Sequence, residues 1–445
     1  MHMRCIFFVP SHFFFLLLCY FYMTSSSKSP SAFRTDIWTL FFVVLLDLIG
    51  IGIIIPILAP LLLGNDTTLL SASVDTGTRI IILGFLTGIY PLAQFFGAPI
   101  LGALSDRHGR KPVLLVSLLG TFFGYLLFGI GILTGQLWLL FVSRLLDGFT
   151  GGNISVAQSA IADMVEPKDR TKYFGLIGMA FGLGFIIGPF LGGVMSDSSI
   201  VSWFTFATPF WVAAGLSLLN IIFVTKFFVE SLKNKIHSPI NALTGFRNIG
   251  KALAMPNLRS LFGAVFLFMF GFTFFTQFFQ VYLIEKFQYT QGDIGLLFGY
   301  VGIWIAITQG VFVRLAAKKY TPTQVLSVSY LLLAMTFFII LAVPTAWMLF
   351  LVMPFVSIFN GFGMPNATSL ASMSADENSQ GEIMGILQSV RSLATVIPPI
   401  VGGAIVALHV NFSLIAAGVT VFFAWVVFVF VYRKHHGEVV FHEVA

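Results

Sequence analysis

Long apolar runs dominate the chain, and short polar segments separate them. A helix needs about 20 apolar residues to cross about 30 Å of hydrocarbon, and twelve runs reach that length. A membrane β-barrel would instead show short segments of alternating polarity, which the sequence lacks. The pattern therefore predicts an all-α membrane protein with twelve transmembrane helices. In chain order, predicted spans 1 to 12 cover 38–63, 80–104, 113–133, 137–163, 173–195, 203–229, 258–284, 292–316, 323–343, 346–373, 382–408 and 411–432.

Composition supports a membrane location. Of the 445 residues, 57% are hydrophobic and 9% are charged, against about 25% charged in soluble domains. A soluble protein of this size needs more charge to cover its surface. These values exclude a cytosolic enzyme, a nucleic-acid-binding protein and a disordered chain. The net charge of +6 is explained by basic loops rather than by an anionic partner.

The loop charges predict the orientation. With the segment before span 1 placed inside, the inside segments hold 19 Lys and Arg and the outside loops hold two, Arg79 and Lys286. Basic residues accumulate on the cytoplasmic side of membrane proteins. Both ends of the twelve-helix body are therefore expected in the cytoplasm.

A basic polar stretch between spans 6 and 7 divides the helices into two sets of six. Paired halves with a site between them are typical of transporters. We predict an N-terminal leader over 1–37, a first half over 38–229, a cytoplasmic linker over 230–257, a second half over 258–432 and a tail over 433–445. Residues 6–22 are apolar but lack a small-residue cleavage site. A signal peptide or a thirteenth helix is possible there, but we expect translation to begin at Met23, so that 1–22 is not translated.

Four charged residues lie inside the predicted spans: Asp47, Arg144, Asp147 and Arg391. Each costs about 2.5–3.5 kcal/mol at a helix centre, so all four should face the interior and pair. The helical rise places Asp47, Asp147 and Arg391 near the midplane, where transporters bind substrates. An intramembrane carboxyl can couple proton flow to transport, because its proton affinity changes with its surroundings. The alternative is a neutralised network that only orients helices.

Polar uncharged side chains are expected to complete the cavity. Span 4, predicted as one continuous helix, carries Arg144, Gly148, Gly151, Ser155 and Gln158 on one face. Amides in other spans add to this set, although each could equally join helices. The intramembrane amides are Gln94, Asn153, Gln158, Gln277, Gln280, Gln309, Asn360, Asn366 and Gln388.

The loop between spans 2 and 3 has a specific order of small and charged residues, Gly-Ala-Leu-Ser-Asp-Arg-His-Gly-Arg-Lys over 102–111. Gly102 permits close helix contact and Gly109 a tight turn. Asp106, Arg107 and Arg110 can form charge-assisted bonds to helix ends and neighbouring loops.

Span 5 carries small residues at helical spacing. Gly184, Gly188 and Gly192 lie along one face, which can pack closely on a neighbouring helix. Pro189 removes a backbone hydrogen bond and bends the helix, and Gly193 extends the run. A smooth, bent contact suits two states with different packing, although static packing explains the glycines alone.

The loop at 102–111, between helices two and three of twelve, resembles the signature loop of the major facilitator superfamily. Residues 46–60 of span 1, 144–151 of span 4, Asp163 and 184–193 of span 5 resemble its drug:proton antiporters, especially the tetracycline-efflux type. The corresponding loop of the second half, 314–319, is degenerate. The resemblance covers about residues 38–432.

This resemblance implies the major facilitator fold and proton-coupled export of a small amphipathic or drug-like compound by alternating access in a bacterial inner membrane. It implies proton-coupling roles for Asp47 and Arg144. It also implies a cytoplasmic gate of Asp106, Arg110 and Asp163 that stabilises the outward-open state and breaks when the site opens inward.

Asp147 and Arg391 depart from the family pattern. Arg391 favours the alternative of a proton-coupled importer or exchanger of an anionic or zwitterionic metabolite, such as an amino acid or siderophore. A non-transporting sensor built on this fold is less favoured, because the buried charges are present.

Other chemistry has no matching motif. The sequence contains no G-x-x-x-x-G-K-[ST] phosphate loop, no acidic or histidine cluster with metal-ligand spacing and no plausible Ser-His-Asp set. We expect a monomer that is not an enzyme and has no cofactor or metal. Its partners should be a small-molecule substrate, protons and the lipid bilayer, and no nucleic acid.

Overall fold

The computed structural model describes residues 31–64, 69–71, 73–165, 170–232, 243–256, 258–374 and 380–434, and these form helices joined by short turns. Outside the described residues lie the leader up to residue 30, residues 233–242 of the linker and the tail beyond 434. The predictions of a leader, of this part of the linker and of a tail therefore stay predictions. The helices are α1 (Ser31–Ile54), α2 (Leu58–Leu63), α3 (Thr76–His108), α4 (Arg110–Thr134), α5 (Leu137–Thr150), α6 (Asn153–Met164), α7 (Arg170–Met195), α8 (Thr208–Phe227), α9 (Thr244–Ala254), α10 (Arg259–Phe287), α11 (Gln291–Ile307), α12 (Val313–Ala317), α13 (Pro322–Ala342), α14 (Leu349–Met373), α15 (Gln380–Leu408) and α16 (Phe412–Val426). A π-helical turn over Thr308–Phe312 joins α11 to α12, a 3-10 turn over Ala346–Met348 precedes α14, and π-helical Val427–Arg433 continues α16.

Eleven helices within the described ranges are long and apolar enough to cross a membrane. They correspond to eleven of the twelve predicted spans. Span 4 is present as two shorter helices, α5 of 14 residues and α6 of 12, which are about 21 and 18 Å long. The prediction of one continuous helix over 137–163 was therefore wrong. Hydropathy does not detect a backbone break at two consecutive glycines, Gly151 and Gly152.

Side chains from neighbouring helices satisfy the backbone at this break. Ser117 Oγ donates to the carbonyl oxygen of Thr150 at 2.6 Å, and Gln94 Nε2 donates to that of Gly151 at 2.8 Å. Backbone groups that leave a helical ladder inside a membrane need such partners, because the hydrocarbon supplies none. The break is thus a buried feature whose backbone groups have partners in spans 2 and 3.

Close glycine contacts join spans 1 and 5. A Cβ atom on Gly188 of α7 would lie 2.7 Å from Cα of Gly52 in α1. Gly184 and Gly192 face the same helix, next to Leu48 and Ile53. The predicted glycine face of span 5 is therefore a packing surface against span 1, which allows the two backbones to touch. Pro189 lies within the same helix.

Aromatic rings fill the interior of the last six spans. The ring of Phe268 in α10 stacks on Tyr330 of α13 with centroids 4.6 Å apart. Phe275 lies 5.0 Å from Phe337 of α13 and 4.6 Å from Phe279. Rings at these separations contribute both buried area and favourable ring geometry. Among the described residues, ring pairs are more numerous in the second half, α10 to Arg433, than in the first, α1–α8, where Phe128 and Phe210 also stack at 4.2 Å.

The halves approach closely at the end away from the 102–111 loop, which we call the far end. A Cβ on Gly84 of α3 would lie 2.9 Å from Cα of Gly403 in α15. A Cβ on Gly193 of α7 would lie 2.7 Å from Cα of Gly295 in α11. These positions admit no side chain without movement, so the two halves are in tight contact at the far end.

At the opposite end, called the motif end because it carries 102–111, α9 bridges the halves. The ring of Phe246 lies 5.1 Å from Phe95 of α3. Asn248 Nδ2 donates to Ser389 Oγ of α15 at 3.0 Å. A linker helix therefore contacts spans 2 and 11 together at the end where the signature loop lies.

Candidate functional site

A buried carboxyl lies where three membrane helices converge. Asp47 of α1 is 7% exposed. Its carboxylate accepts hydrogen bonds from the side-chain amides of Asn153, the first residue of α6, and Asn220 of α8, the latter at 3.2 Å. Asn220 Nδ2 also lies 3.0 Å from the carbonyl oxygen of Val43. Neutral amides, rather than a cation, thus hold the charge of Asp47.

A second buried carboxyl is paired with a cation. Arg144 Nη2 lies 2.7 Å from Asp147 Oδ2, one helical turn along α5. The guanidinium also faces the rings of Tyr90 at 5.4 Å and Phe128 at 5.3 Å, which favours a cation by attraction to the ring faces. The prediction that buried charges pair is confirmed for these two residues.

A small cavity of about 10 Å³ separates the two carboxyls. Its wall consists mainly of residues with oxygen-bearing side chains, contributed by the first four spans. The lining residues are Asp47, Ile51, Tyr90, Thr121, Tyr125, Asp147, Gly151 and Asn153. The structure therefore brings together four of the seven predicted cavity residues: Asp47, Arg144, Asp147 and Asn153.

The remaining three predicted cavity residues do not line the cavity. Gln94 bonds to the helix break, Gln158 is exposed on α6, and Arg391 is half-buried on α15. Arg391 has no ion pair or hydrogen bond with any residue that the structure describes, so its predicted pairing is not found among them. The acidic residues of the C-terminal half come at the ends of its spans, and none is available at the depth of Arg391.

A second charge network lies at the motif end. Arg110 Nη1 lies 2.6 Å from Asp106 Oδ1, and Arg110 Nε lies 2.8 Å from Asp163 Oδ2 at the end of α6. Arg110 Nη1 also donates to Ser105 Oγ at 2.6 Å. The expected cluster of Asp106, Arg110 and Asp163 is thus formed, and it joins spans 2, 3 and 4 of one half.

The turn within this network depends on Gly109, which has φ of 114°. The carboxylate of Glu230, just after α8, accepts hydrogen bonds from the backbone N–H groups of Arg110 at 2.9 Å and Lys111 at 3.0 Å. It thereby caps the N-terminus of α4. Arg107 is exposed. A Cβ on Gly102 would meet nothing within 4 Å, so the predicted close contact there was wrong.

Sequence reasoning missed three polar residues with structural roles: Asn220, Glu230 and Arg79. A lone Asn in an apolar span was the signal for Asn220, whereas no local pattern marks Glu230 as a cap for a distant helix. Arg79, assigned above to an outside loop, is instead buried in α3. Its guanidinium donates to four backbone carbonyls at 3.0–3.1 Å, those of Leu62, Gly64, Ser71 and Val74.

A helical bundle in two halves, with buried charges inside one half, defines the class of membrane transporters with alternating access. The family model of the Major Facilitator Superfamily matches residues 40–319 and 261–443. The chain therefore belongs to the Major Facilitator Superfamily and is a multi-pass membrane transporter.

The similarity to known members is extensive. Tetracycline resistance protein, class C, of Escherichia coli is 31% identical over 365 residues, which cover 82% of this chain and 88% of that protein. The crystal structure of the human organic anion transporter MFSD10 (TETRAN) covers 90% of this chain and 100% of its own, with a TM-score of 0.69 at 22% identity. A D-xylose-proton symporter covers 89% and 97%, with a TM-score of 0.73 at 16% identity. The predicted fold and the resemblance to tetracycline-efflux-type transporters are confirmed.

Proposed function

We propose that the protein is a secondary active transporter that exports small amphipathic, drug-like compounds in exchange for protons. The observation that carries this proposal is the position of Asp47, buried in a membrane span and held by two neutral amides. A carboxyl of this kind can gain and lose a proton without breaking an ion pair. The similarity to a tetracycline resistance protein supports a drug-like substrate.

The neighbouring charges are consistent with this role for Asp47. Arg144 is already bound to Asp147 at 2.7 Å, and therefore leaves Asp47 without a permanent counter-ion. An unpaired charge inside a membrane is costly, so proton binding by Asp47 responds strongly to any change in its surroundings. A change of conformation that alters the amide contacts of Asp47 would couple proton release to transport.

The contacts between the halves support alternating access. We infer from the distribution of Lys and Arg that the motif end is cytoplasmic, which places both ends of the helical body in the cytoplasm. The tight glycine contacts then lie on the outer side, and the structure is closed there. Export requires these outer contacts to open. It also requires α9 to move, so that spans 2 and 11 can approach each other at the motif end.

The network around Arg110 calls for a different role from the expected one. It is intact while the far end is closed. Its members, from Ser105 to Asp163, all belong to the N-terminal half. We therefore propose that it holds spans 2, 3 and 4 together as one body in both states.

Proton flux in everted membrane vesicles tests the proposed exchange. The vesicles have no imposed pH gradient, and a dye inside them reports internal pH. Tetracycline, other lipophilic zwitterions or lipophilic cations are added to the outer medium. We expect internal alkalinisation that is lost in Asp47→Asn. No pH change with any transported compound, or an equal change in Asp47→Asn, would contradict proton antiport. We place the protein, as a monomer, in a bacterial cytoplasmic membrane, because it is similar to a tetracycline resistance protein of a bacterium.

A second candidate function rests on Arg391. This half-buried cation has no counter-ion among the described residues, and a structural neighbour is named as an organic anion transporter. The alternative is thus a proton-coupled importer or exchanger of an anionic or zwitterionic metabolite, such as an amino acid or siderophore. In the same vesicles, internal acidification on adding organic anions or amino acids, lost in Arg391→Gln, would favour it over export.

A further inference from the structure

Unsatisfied polar atoms gather around the cavity between Asp47 and Asp147. Within the described part of the chain, the buried side-chain atoms without a hydrogen-bond partner include Tyr125 Oη, Arg144 Nε, Asn153 Oδ1 and Asn220 Oδ1. Each of these residues lines the cavity or contacts one of its two carboxyls. Buried polar groups are nearly always hydrogen-bonded, to protein or to ordered water.

The chemistry of these atoms points to water as the missing partner. Arg144 Nε can only donate, the two amide oxygens can only accept, and the Tyr125 hydroxyl can do both. A water molecule serves both kinds of group. A water needs a cavity of about 10–15 Å³ and two to four polar partners. This cavity, at about 10 Å³ and lined mainly by oxygen-bearing side chains, has the size for a single water.

Two carboxyls face this space from different helices. Asp47 comes from α1 and Asp147 from α5, and both line the cavity wall. The other ionisable groups around them are Tyr90 of α3, Tyr125 of α4 and Arg144 of α5. A water between the carboxyls would connect them by hydrogen bonds, so that the charge on one affects proton binding by the other.

We propose that water in this cavity bridges Asp47 and Asp147, and that the two carboxyls bind and transfer protons as a coupled pair, with Asp147 as the second proton-binding residue. This inference rests on the proposed proton coupling through Asp47. In the transfer, the protonated carboxyl of Asp47 gives its proton to the water while the water gives one of its own to the carboxylate of Asp147. One proton moves, and the water is regenerated.

The transfer has a direct consequence for Arg144. A neutral Asp147 binds the guanidinium less strongly than an ionised one, because the bond is no longer an ion pair. Arg144 then remains held by the rings of Tyr90 and Phe128 while its bond to Asp147 weakens. One proton movement thereby loosens an ion pair within span 4.

Infrared titration of the purified protein in lipid nanodiscs tests the coupling without transport. Absorption of protonated carboxyl groups is followed across pH in the wild type and in Asp47→Asn. Interacting sites titrate in two macroscopic steps. We therefore expect the carboxyl that remains in Asp47→Asn to titrate at a midpoint about one pH unit or more from either wild-type step.

Two tyrosines provide a matched pair of variants that retain both carboxyls. Tyr125→Phe removes a hydroxyl at the cavity, whereas Tyr330→Phe removes an equally buried hydroxyl without a partner in the other half. We expect Tyr125→Phe to shift both wild-type midpoints and Tyr330→Phe to shift neither.

The proposal is overturned if the midpoint in Asp47→Asn coincides with a wild-type midpoint, or if the two tyrosine variants behave alike. Either result would show independent carboxyls and would leave proton antiport through Asp47 standing. Failure of proton antiport itself would appear instead as the absence of substrate-dependent proton flux in vesicles.

Discussion

The two halves of this bundle have the same number of predicted spans but different interiors. The N-terminal half contains ion pairs, amides on a buried carboxylate and glycine contacts between backbones. The C-terminal half contains stacked aromatic rings and Arg391, which has no counter-ion among the described residues. The difference suggests a division of labour, in which the first half handles protons and the second contributes a cation for substrate recognition.

The sharpest contrast is between the two arginines inside the membrane spans, the buried Arg144 and the half-buried Arg391. Arg144→Leu leaves the carboxylate of Asp147 without its counter-ion, and breaking a buried pair in this way costs about 3–5 kcal/mol. Arg391→Leu removes a charge that has no described partner and should leave the free energy of unfolding unchanged or raise it. SDS-induced unfolding of both variants measures the difference. Equal losses would show that Arg391 also has a structural counter-ion.

Backbone contacts provide the next contrast. Gly188→Ala places a methyl group against Cα of Gly52 and the carbonyl oxygen of Ile49, both at 2.7 Å, and should cost about 3 kcal/mol through overpacking. The methyl group added by Gly263→Ala in α10 meets nothing within 4 Å, so the free energy of unfolding should not fall. The same unfolding assay compares them. A harmless Gly188→Ala would show that spans 1 and 5 can separate without loss.

The motif end offers a pair of glycines in one segment. Gly109→Ala forces a side chain into a backbone conformation that glycine alone adopts readily, at a cost of about 2 kcal/mol. It also crowds the Glu230 carboxylate that caps α4. Gly102→Ala enters open space within a helix and should be neutral or slightly stabilising. Thermal unfolding midpoints in detergent would show which glycine the fold requires.

The smallest expected difference concerns two glutamines. Gln94→Met removes the 2.8 Å bond to the carbonyl oxygen of Gly151 at the helix break and should cost about 1 kcal/mol. Gln309→Met removes a longer bond, 3.4 Å, to the carbonyl oxygen of Gly361 and should cost less. If Gln309→Met lost more stability than Gln94→Met, the break in span 4 would not depend on its bond to Gln94.

Features that follow from composition along the chain were predictable from the sequence. Hydropathy located the spans, and the spacing of Arg144 and Asp147 placed them within one turn of each other. Features that depend on distant segments were not predictable. The break at Gly151 requires Gln94 from another span, and Asn220 reaches Asp47 only after α8 packs on α1. Arg391 was expected to pair, but pairing requires an acidic residue at the same depth in a neighbouring helix.

Transport by Asp47→Asn in proteoliposomes with labelled tetracycline tests the division of labour most directly. Exchange of labelled for unlabelled substrate requires binding and conformational change, whereas accumulation driven by a pH gradient also requires proton coupling. We expect Asp47→Asn to retain exchange and lose accumulation, and Arg391→Gln to lose both. Proton-driven accumulation by Asp47→Asn at the wild-type level would contradict the assignment of proton coupling to the N-terminal half.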